Sequence, residues 1–164
     1  MSKAKLALAA LEIAGVKLAV AESLTGGQLA STLVDVPGAS KVFLGGVVAY
    51  ATDAKTHLLG LANETLGRYG AVSAETAAAM AAGARERFAP VLDATEKGKL
   101  WAVSTTGVAG PELQEGKPAG TVFLALDTGS DTVSRQYTFG GDRSAVRTAA
   151  VEAALDLILE QISS

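Results

Sequence analysis

Hydrophobic positions in this chain recur with two different periods, and the alternation between the two lays out the elements. Leu6, Ala9, Ala10, Ile13 and Ala14 form a stripe at helical spacing over residues 3–14, with Gly15 as its stop. The apolar run 16–21 has the length of a strand, and a helix-like run over about 26–35 ends before the Val36-Pro37-Gly38 breaker. Residues 41–50 (KVFLGGVVAY) are rich in branched and aromatic side chains and predict a second strand. Gly45-Gly46 inside it points to a bulge or a close backbone approach. Thr52 or Asp53 is placed to cap a short helix ending near Leu59, Asn63 to cap a further turn, and Ser73 to cap a helix over 74–88 that Pro90 ends. Residues 100–105 (LWAVST) suit a buried central strand, followed by a Gly/Pro-rich loop over 107–120. Residues 121–126 and 132–139 read as a hairpin around Gly129-Ser130. Gly140-Gly141-Asp142 then opens a final helix, 143–162, with Val151, Leu155, Ile158 and Ile162 as its inward stripe. The order α-β-α-β-α-α-β-β-β-α predicts an α/β fold with helices on both faces of a mixed sheet, since a hairpin excludes an all-parallel one. No repeat or linker interrupts it, so one domain over 1–164 is expected.

Composition narrows the chemistry. The chain of 164 residues has no cysteine and one histidine, which removes disulfides, thiolate nucleophiles, cysteine-based metal sites and multi-histidine metal sites. A net charge of −3 and an aromatic content of 5% argue against a nucleic-acid surface. No apolar run reaches the ~18 residues that span a bilayer, and the basic start Lys3–Lys5 runs into a helix pattern that Glu12 interrupts, so a cytoplasmic protein with no membrane partner is expected. Hydrolytic chemistry, if present, must come from Ser, Thr, Tyr, Lys, Asp or Glu.

The candidate groups fall at strand ends. Ala21-Glu22-Ser23-Leu24-Thr25-Gly26-Gly27-Gln28 joins a strand to a helix. Thr25 and Gln28 have capping-box spacing, and Gly26 and Gly27 leave backbone N–H groups uncovered for an anion or an oxyanion. Ser23 lies just before that turn. The same octapeptide reads equally well as an ordinary strand–helix connection. Tyr50 and Lys55 lie just past another strand. In an open sheet with ligands gathered at strand ends, Ser23 and Lys55 come within reach of each other, and a lysine with a lowered pKa can serve as base for a serine. On spacing alone, Lys55 is also an exposed residue of a short helix. His57 would face elsewhere on that helix. The loop Thr105-Thr106-Gly107-Val108-Ala109-Gly110-Pro111 offers hydroxyls and bare amides as a ligand wall, or is a plain reversal. Arg143, and Arg147 one turn later, are placed to hold a phosphate at a helix start, or simply to be solvated. Other motifs fail: residues 110–118 are one residue too long for a phosphate loop and put proline where Ser/Thr would hold magnesium, and no G-x-G-x-x-G, S-x-x-K or G-x-S-x-G stands in a fitting context.

The stretches AESLTGG, GGVVAYATDAK, STTGVAGP with GKPAGTVF, and FGGDRSAVR, in this order, closely resemble the CinA C-terminal domain family over about residues 6 to 160. Its standalone members, the PncC type, are nicotinamide-nucleotide amidohydrolases. The resemblance implies a three-layer α/β/α sandwich on a mixed, roughly five-stranded sheet of the anticodon-binding-domain-like type. It also implies hydrolysis of the carboxamide of nicotinamide mononucleotide (NMN) to nicotinate mononucleotide and ammonia, in pyridine nucleotide recycling. The family's nucleophile falls on Ser23 and its lysine base on Lys55, and Tyr50 matches the tyrosine of the same element. Thr106 and Gly107 lie in the TG-x-AGP loop that lines the site. Arg143 matches the arginine of the GDR element, for which we expect a phosphate contact. The sequence departs from the family after AGP, where a glycine-rich stretch is replaced by the shorter Glu112-Leu113-Gln114-Glu115-Gly116.

On this reading Ser23 attacks the amide after Lys55 removes its proton, with oxyanion donors expected near Thr25, Gly26 and Gly27 or at Gly107. Tyr50 would orient the lysine or stack on the pyridine ring. Arg143, Arg147 and Lys117 are the cations available for the phosphate. No metal or cofactor is needed. Alanine-rich helix faces and the long last helix make a homodimer the expected assembly. The rival expectation is a non-catalytic, nucleotide-binding or competence-associated module, and a third is an amidase for another small amide.

Overall fold

The computed structural model describes residues 1–164. Six helices and five strands alternate as α1 (Lys3–Ala14), β1 (Lys17–Glu22), α2 (Gln28–Val34), β2 (Phe43–Val48), α3 (Thr52–Leu59), α4 (Asn63–Tyr69), α5 (Ala74–Phe88), β3 (Leu100–Gly107), β4 (Thr121–Asp127), β5 (Thr132–Thr138) and α6 (Arg143–Ile162). The strands make one mixed sheet in the order β2-β1-β3-β4-β5. β1 lies parallel to both β2 and β3, and the β3–β4 and β4–β5 pairs are antiparallel. No helix is long and apolar enough to cross a membrane.

Strand alternation sorts the two faces by size. Leu18, Val20, Val103, Val122, Leu124 and Leu126 point to a face covered by α1, α2 and α6. Ala19, Ala21 and Ala102 point the other way, with Phe123 and Ala125 further along, and α3, α4 and α5 cover that side. The small face meets a helix that is itself alanine-rich, with Ala77, Met80, Ala81 and Ala84 inward, so α5 lies close against the sheet. Gly83 is the extreme case of this closeness: a Cβ there would run into the Leu59 carbonyl at the end of α3. Glycine inside a helix normally costs about 1 kcal/mol relative to alanine, and here it buys the approach of two helices.

Several local expectations are corrected. The inward face of α1 is Ala4, Ala7, Leu8 and Leu11 rather than the stripe through Leu6, Ala9, Ala10, Ile13 and Ala14, and Leu6 and Ile13 are exposed, because only the first set faces α6 and the sheet. The register of β2 shifts at Leu44, one residue ahead of the glycine pair, and a Cβ on Gly46 would strike the Val20 side chain, so the close approach falls on the pair and the bulge beside it. β2 is nevertheless shorter than residues 41–50, because Ala39–Lys41 forms a 3-10 turn. Thr52 and Asp53 do not cap α3, whose N-cap is Ala51 with no side-chain bond. Asn63 sits inside α4 rather than before it, and its Oδ1 accepts from Thr56 Oγ1. Ser73 and Asp142 do cap their helices, accepting from Thr76 and Ala145 amides.

The sheet order makes β1 a topological switch point. The chain leaves β1 through α2 on one face to reach β2, then returns through α3–α5 on the opposite face to reach β3. The two crossovers diverge beyond the carboxyl ends of the parallel strands and leave a crevice there. Replacing Gly83 by alanine is expected to lower stability by about 1–3 kcal/mol despite the gain in helix propensity, because two backbones must part to admit the methyl group. Urea denaturation of the variant checks this; a stabilised Gly83→Ala protein would show that the approach of α5 to α3 is not a constraint.

Candidate active site

Three strand ends build the site. Just past β1, the Ser23 amide donates to the Thr105 carbonyl at 2.9 Å, and just past β2 the Ala49 amide donates to the Glu22 carbonyl at 2.9 Å. These bonds carry the sheet pairing one residue beyond the strands, so Ser23 and the 49–50 backbone are fixed to each other before any side chain acts. α3 starts two residues later, and its inner face delivers Lys55.

Lys55 is only 1% exposed and is the largest of the fully buried side chains. The alternative of a solvated lysine on a short helix is therefore removed. Its Nζ lies 2.9 Å from Ser23 Oγ, 2.9 Å from the Ala49 carbonyl oxygen and 3.2 Å from that of Tyr50. Burial pushes the amine down from its ordinary 10.5 to about 8, opposed by the charge of Glu115. A neutral amine has two N–H donors and one lone pair. With the two carbonyls taking the hydrogens, the lone pair is left for the Ser23 hydroxyl. Tyr50 thus holds Lys55 through its main chain, whereas its ring is 58% exposed. The phenol oxygen accepts from Arg143 Nη2 at 2.6 Å, and Arg143 Nη1 donates to the Gly110 carbonyl at 2.8 Å.

These groups line a cavity of about 370 Å³, inside the ~300–1,000 Å³ range of small-molecule sites. Ser23, Tyr50, Lys55, Thr106, Gly107 and Arg143 all border it, and residues 107–114 supply half of its lining. Gly107 is needed where it stands, because a Cβ would lie 2.6 Å from the Thr121 carbonyl of the neighbouring strand. The Thr106 hydroxyl donates to the Ala71 carbonyl at 2.6 Å and so braces the segment across the cavity. No cluster of three or more His, Asp or Glu side chains is placed to hold a metal ion, and Glu112 and Gln114 add a carboxylate and an amide to the polar groups of the wall.

Thr25, Gly26 and Gly27 are the expectations the structure moves. None borders the cavity. Thr25 is fully buried with its hydroxyl 2.7 Å from that of Thr105, so the Thr25–Gln28 capping box does not form, and Gln28 Nε2 donates to Thr148 instead. The Gly26 amide donates to the Ser23 carbonyl, and the Gly27 amide is taken by Glu22. Glu22 was not singled out from the sequence, yet its buried carboxylate accepts from the Gly27, Leu29 and Ala30 amides at 3.2, 2.8 and 3.0 Å. It caps α2, whose N-cap position is a glycine in the left-handed region with no side chain to do so. Its sequence signal is a carboxylate closing an apolar strand one turn ahead of a glycine-started helix. Arg147 is also reassigned. Its guanidinium donates to the Leu24 and Thr25 carbonyls at 2.9 and 2.8 Å, clamping the turn that follows Ser23, and it is absent from the cavity wall, as is Lys117. His57 is exposed and away from the cavity. The backbone amides without a partner in the protein that belong to lining residues include those of Leu24, Ala109 and Gly110, beside those of Tyr50, Glu112, Leu113 and Arg143.

The chain is thus an open α/β domain in which a serine hydroxyl and a buried lysine amine meet in the crevice at the switch point of the sheet. Residues 2–162 match the model of the CinA C-terminal domain, and the chain belongs to that family. It is 49% identical over 146 residues to a CinA-like protein of Frankia casuarinae, covering 89% of this chain and 32% of that protein. The chain spans about a third of the length of the curated relatives it matches. Among solved structures, a competence-damaged protein (CinA) superfamily protein from Escherichia coli is 35% identical with a TM-score of 0.86, covering 98% of this chain and 90% of that one. A CinA superfamily protein from Klebsiella pneumoniae is 32% identical with a TM-score of 0.88 and covers 99% of both chains.

Glu22→Ala is expected to cost about 1–3 kcal/mol, because it orphans three amides at the start of α2 that water reaches poorly. Urea melts read the loss directly, and an unchanged midpoint would remove Glu22 from the scaffold of the Ser23 turn.

Proposed function

We propose that this domain hydrolyses the carboxamide of nicotinamide mononucleotide, releasing ammonia, with Ser23 as nucleophile and Lys55 as its base. The observation that carries the reading is the 2.9 Å contact between Lys55 Nζ and Ser23 Oγ inside the cavity. Neutral Lys55 accepts the Ser23 proton as Oγ attacks the amide carbon. The C–N bond then breaks, and Lys55 returns the proton to the departing nitrogen. Water, deprotonated by the same amine, attacks the resulting ester, releases nicotinate mononucleotide and restores the Ser23 hydroxyl. Among the unpartnered lining amides, Leu24 is next in sequence to the nucleophile, and it and the Ala109 and Gly110 amides are the oxyanion donors of this reading. Donors of this kind are typically worth about 3–4 kcal/mol of barrier.

Arg143 is the cation for the phosphate. Two of its five N–H groups are used on Gly110 and Tyr50, leaving three for an anion. The Tyr50 ring, held by that same arginine, is an exposed flat face at the rim for the pyridine or ribose. The shorter Glu112–Gly116 stretch leaves this set of groups in place.

An ammonia-release assay with NMN tests the reading. Ser23→Ala and Lys55→Ala are each expected to lose at least ~10³ of turnover while keeping the fold; near-normal activity in either would sink the dyad. Because the base must be neutral, kcat/KM is expected to rise about tenfold per pH unit below pH ~8 and level off above it. Arg143→Ala should raise the KM for NMN about 10- to 100-fold, from the loss of a charge-assisted contact, and affect the riboside, which lacks the phosphate, far less. Equal losses on both substrates would place the phosphate elsewhere, and tight NMN binding without turnover in the wild type would favour a binding module.

A further inference from the structure

The segment that departs from the family pattern carries a strained residue with a specific partner. Gln114 and Lys117 exchange both backbone hydrogen bonds, at 3.1 and 2.9 Å, around a two-residue turn. Glu115 and Gly116 both have positive φ there, 53° and 72°, the type I′ pattern that favours Asn-Gly. Glu115 is the only non-glycine residue in the chain with positive φ. A side chain long enough to reach elsewhere thus occupies a position where a shorter one would sit more easily, and strain of this sort persists where the surroundings enforce it.

The partner is on the far side of the cavity. The Glu115 carboxylate accepts from the Ala71 amide at 2.8 Å and the Val72 amide at 3.2 Å, and Ala71 and Val72 border the cavity. Gly70 reserves the space, since a Cβ there would collide with that carboxylate. Segment 70–72 is held from the other side by Thr106, whose hydroxyl bonds the Ala71 carbonyl. The loop is therefore fastened twice, at Gly110 by Arg143 and at Glu115 by two amides, and the residues between these points form the cavity wall.

We infer that Glu115 is a positioning residue, whose carboxylate on the Ala71 and Val72 amides keeps the 108–118 loop standing as the wall that holds substrate against Ser23. The inference rests on the proposed amide hydrolysis for its substrate. The seat of the carboxylate is testable without it. Glu115 touches no reacting atom, and its charge only holds the Lys55 pKa up, so with both proteins assayed on the plateau above pH ~8 its loss weakens substrate capture more than turnover.

The test is Glu115→Asn in the full chain. Asparagine suits the turn better than glutamate but is too short to reach the amides, so the variant removes the fastening and keeps the fold. Exchange of the Ala71 and Val72 amides, followed by hydrogen–deuterium NMR, is expected to speed up at least about tenfold with no fall in melting temperature. The KM for NMN is expected to rise about tenfold or more, with kcat changed by less than about threefold. Glu115→Gln, which keeps the reach and one acceptor oxygen, should fall between the two proteins. Unchanged exchange in Glu115→Asn overturns the fastening. Faster exchange with an unchanged KM, or a loss confined to kcat, overturns the positioning role. If the wild type does not hydrolyse NMN, the function proposed above fails by itself, and KM is replaced by the NMN dissociation constant as the deciding readout.

Discussion

An amine withdrawn from water must either stay neutral or be met by acceptors on every side, and the rest of this structure depends on how that demand is satisfied at Lys55. The two carbonyls that meet it, from Ala49 and Tyr50, are main-chain groups just beyond a strand. Their positions are set by sheet pairing rather than by side-chain choice. The third neighbour is the Ser23 hydroxyl, likewise set by pairing just beyond the adjacent strand. A buried lysine bonded to backbone on two sides has its lone pair directed by elimination. Burial lowers its pKa, and the negative charge of Glu115 limits the shift.

Much of the fold was legible because its signals are local. The stripe of α6, the Ser73 and Asp142 caps and a bulge beside Gly45-Gly46 follow from spacing and residue type, and they are present; α1 is present as well, but it turns Ala4, Ala7, Leu8 and Leu11 inward and leaves Leu6 and Ile13 exposed. The resemblance to the CinA family supplied the architecture that spacing alone left as a mixed sheet. At the site, Ser23, Tyr50, Lys55, Thr106, Gly107 and Arg143 come together around one cavity. The misreadings share one cause, which is that hydrogen-bond partners distant in sequence outcompeted the nearby ones. Thr25 had the spacing of a cap, but Thr105 lies nearer to its hydroxyl in space. Gly26 and Gly27 looked bare, but Glu22 and the Ser23 carbonyl take their amides. Arg147 looked free for a ligand, yet two carbonyls of the Ser23 turn hold it. Glu115 had no signal in spacing at all, since its partners lie 44 and 43 residues away.

The polar groups around the crevice divide into those spent on the scaffold and those left for a ligand. Glu22, Arg147 and Thr25 hold the turn that presents Ser23. Arg143 belongs to both sets, because it ties Tyr50 to Gly110 and still has donors to spare. A site built in this way is arranged before a ligand arrives, so little ordering remains to be done on binding.

The uneven sizes of the two sheet faces have a consequence for how the protein can change over time. Where Leu and Val meet α1, α2 and α6, volume can be exchanged among neighbours, and conservative substitutions can be absorbed by repacking. Where Ala meets the alanine-rich helix α5 there is less side-chain volume to trade, and at Gly83 an added methyl group is met by backbone. The lysine and both of its carbonyl partners lie at the edge of that second layer. Sequence drift is therefore freer to remodel one half of the molecule, while the other half keeps Lys55 and its partners in register.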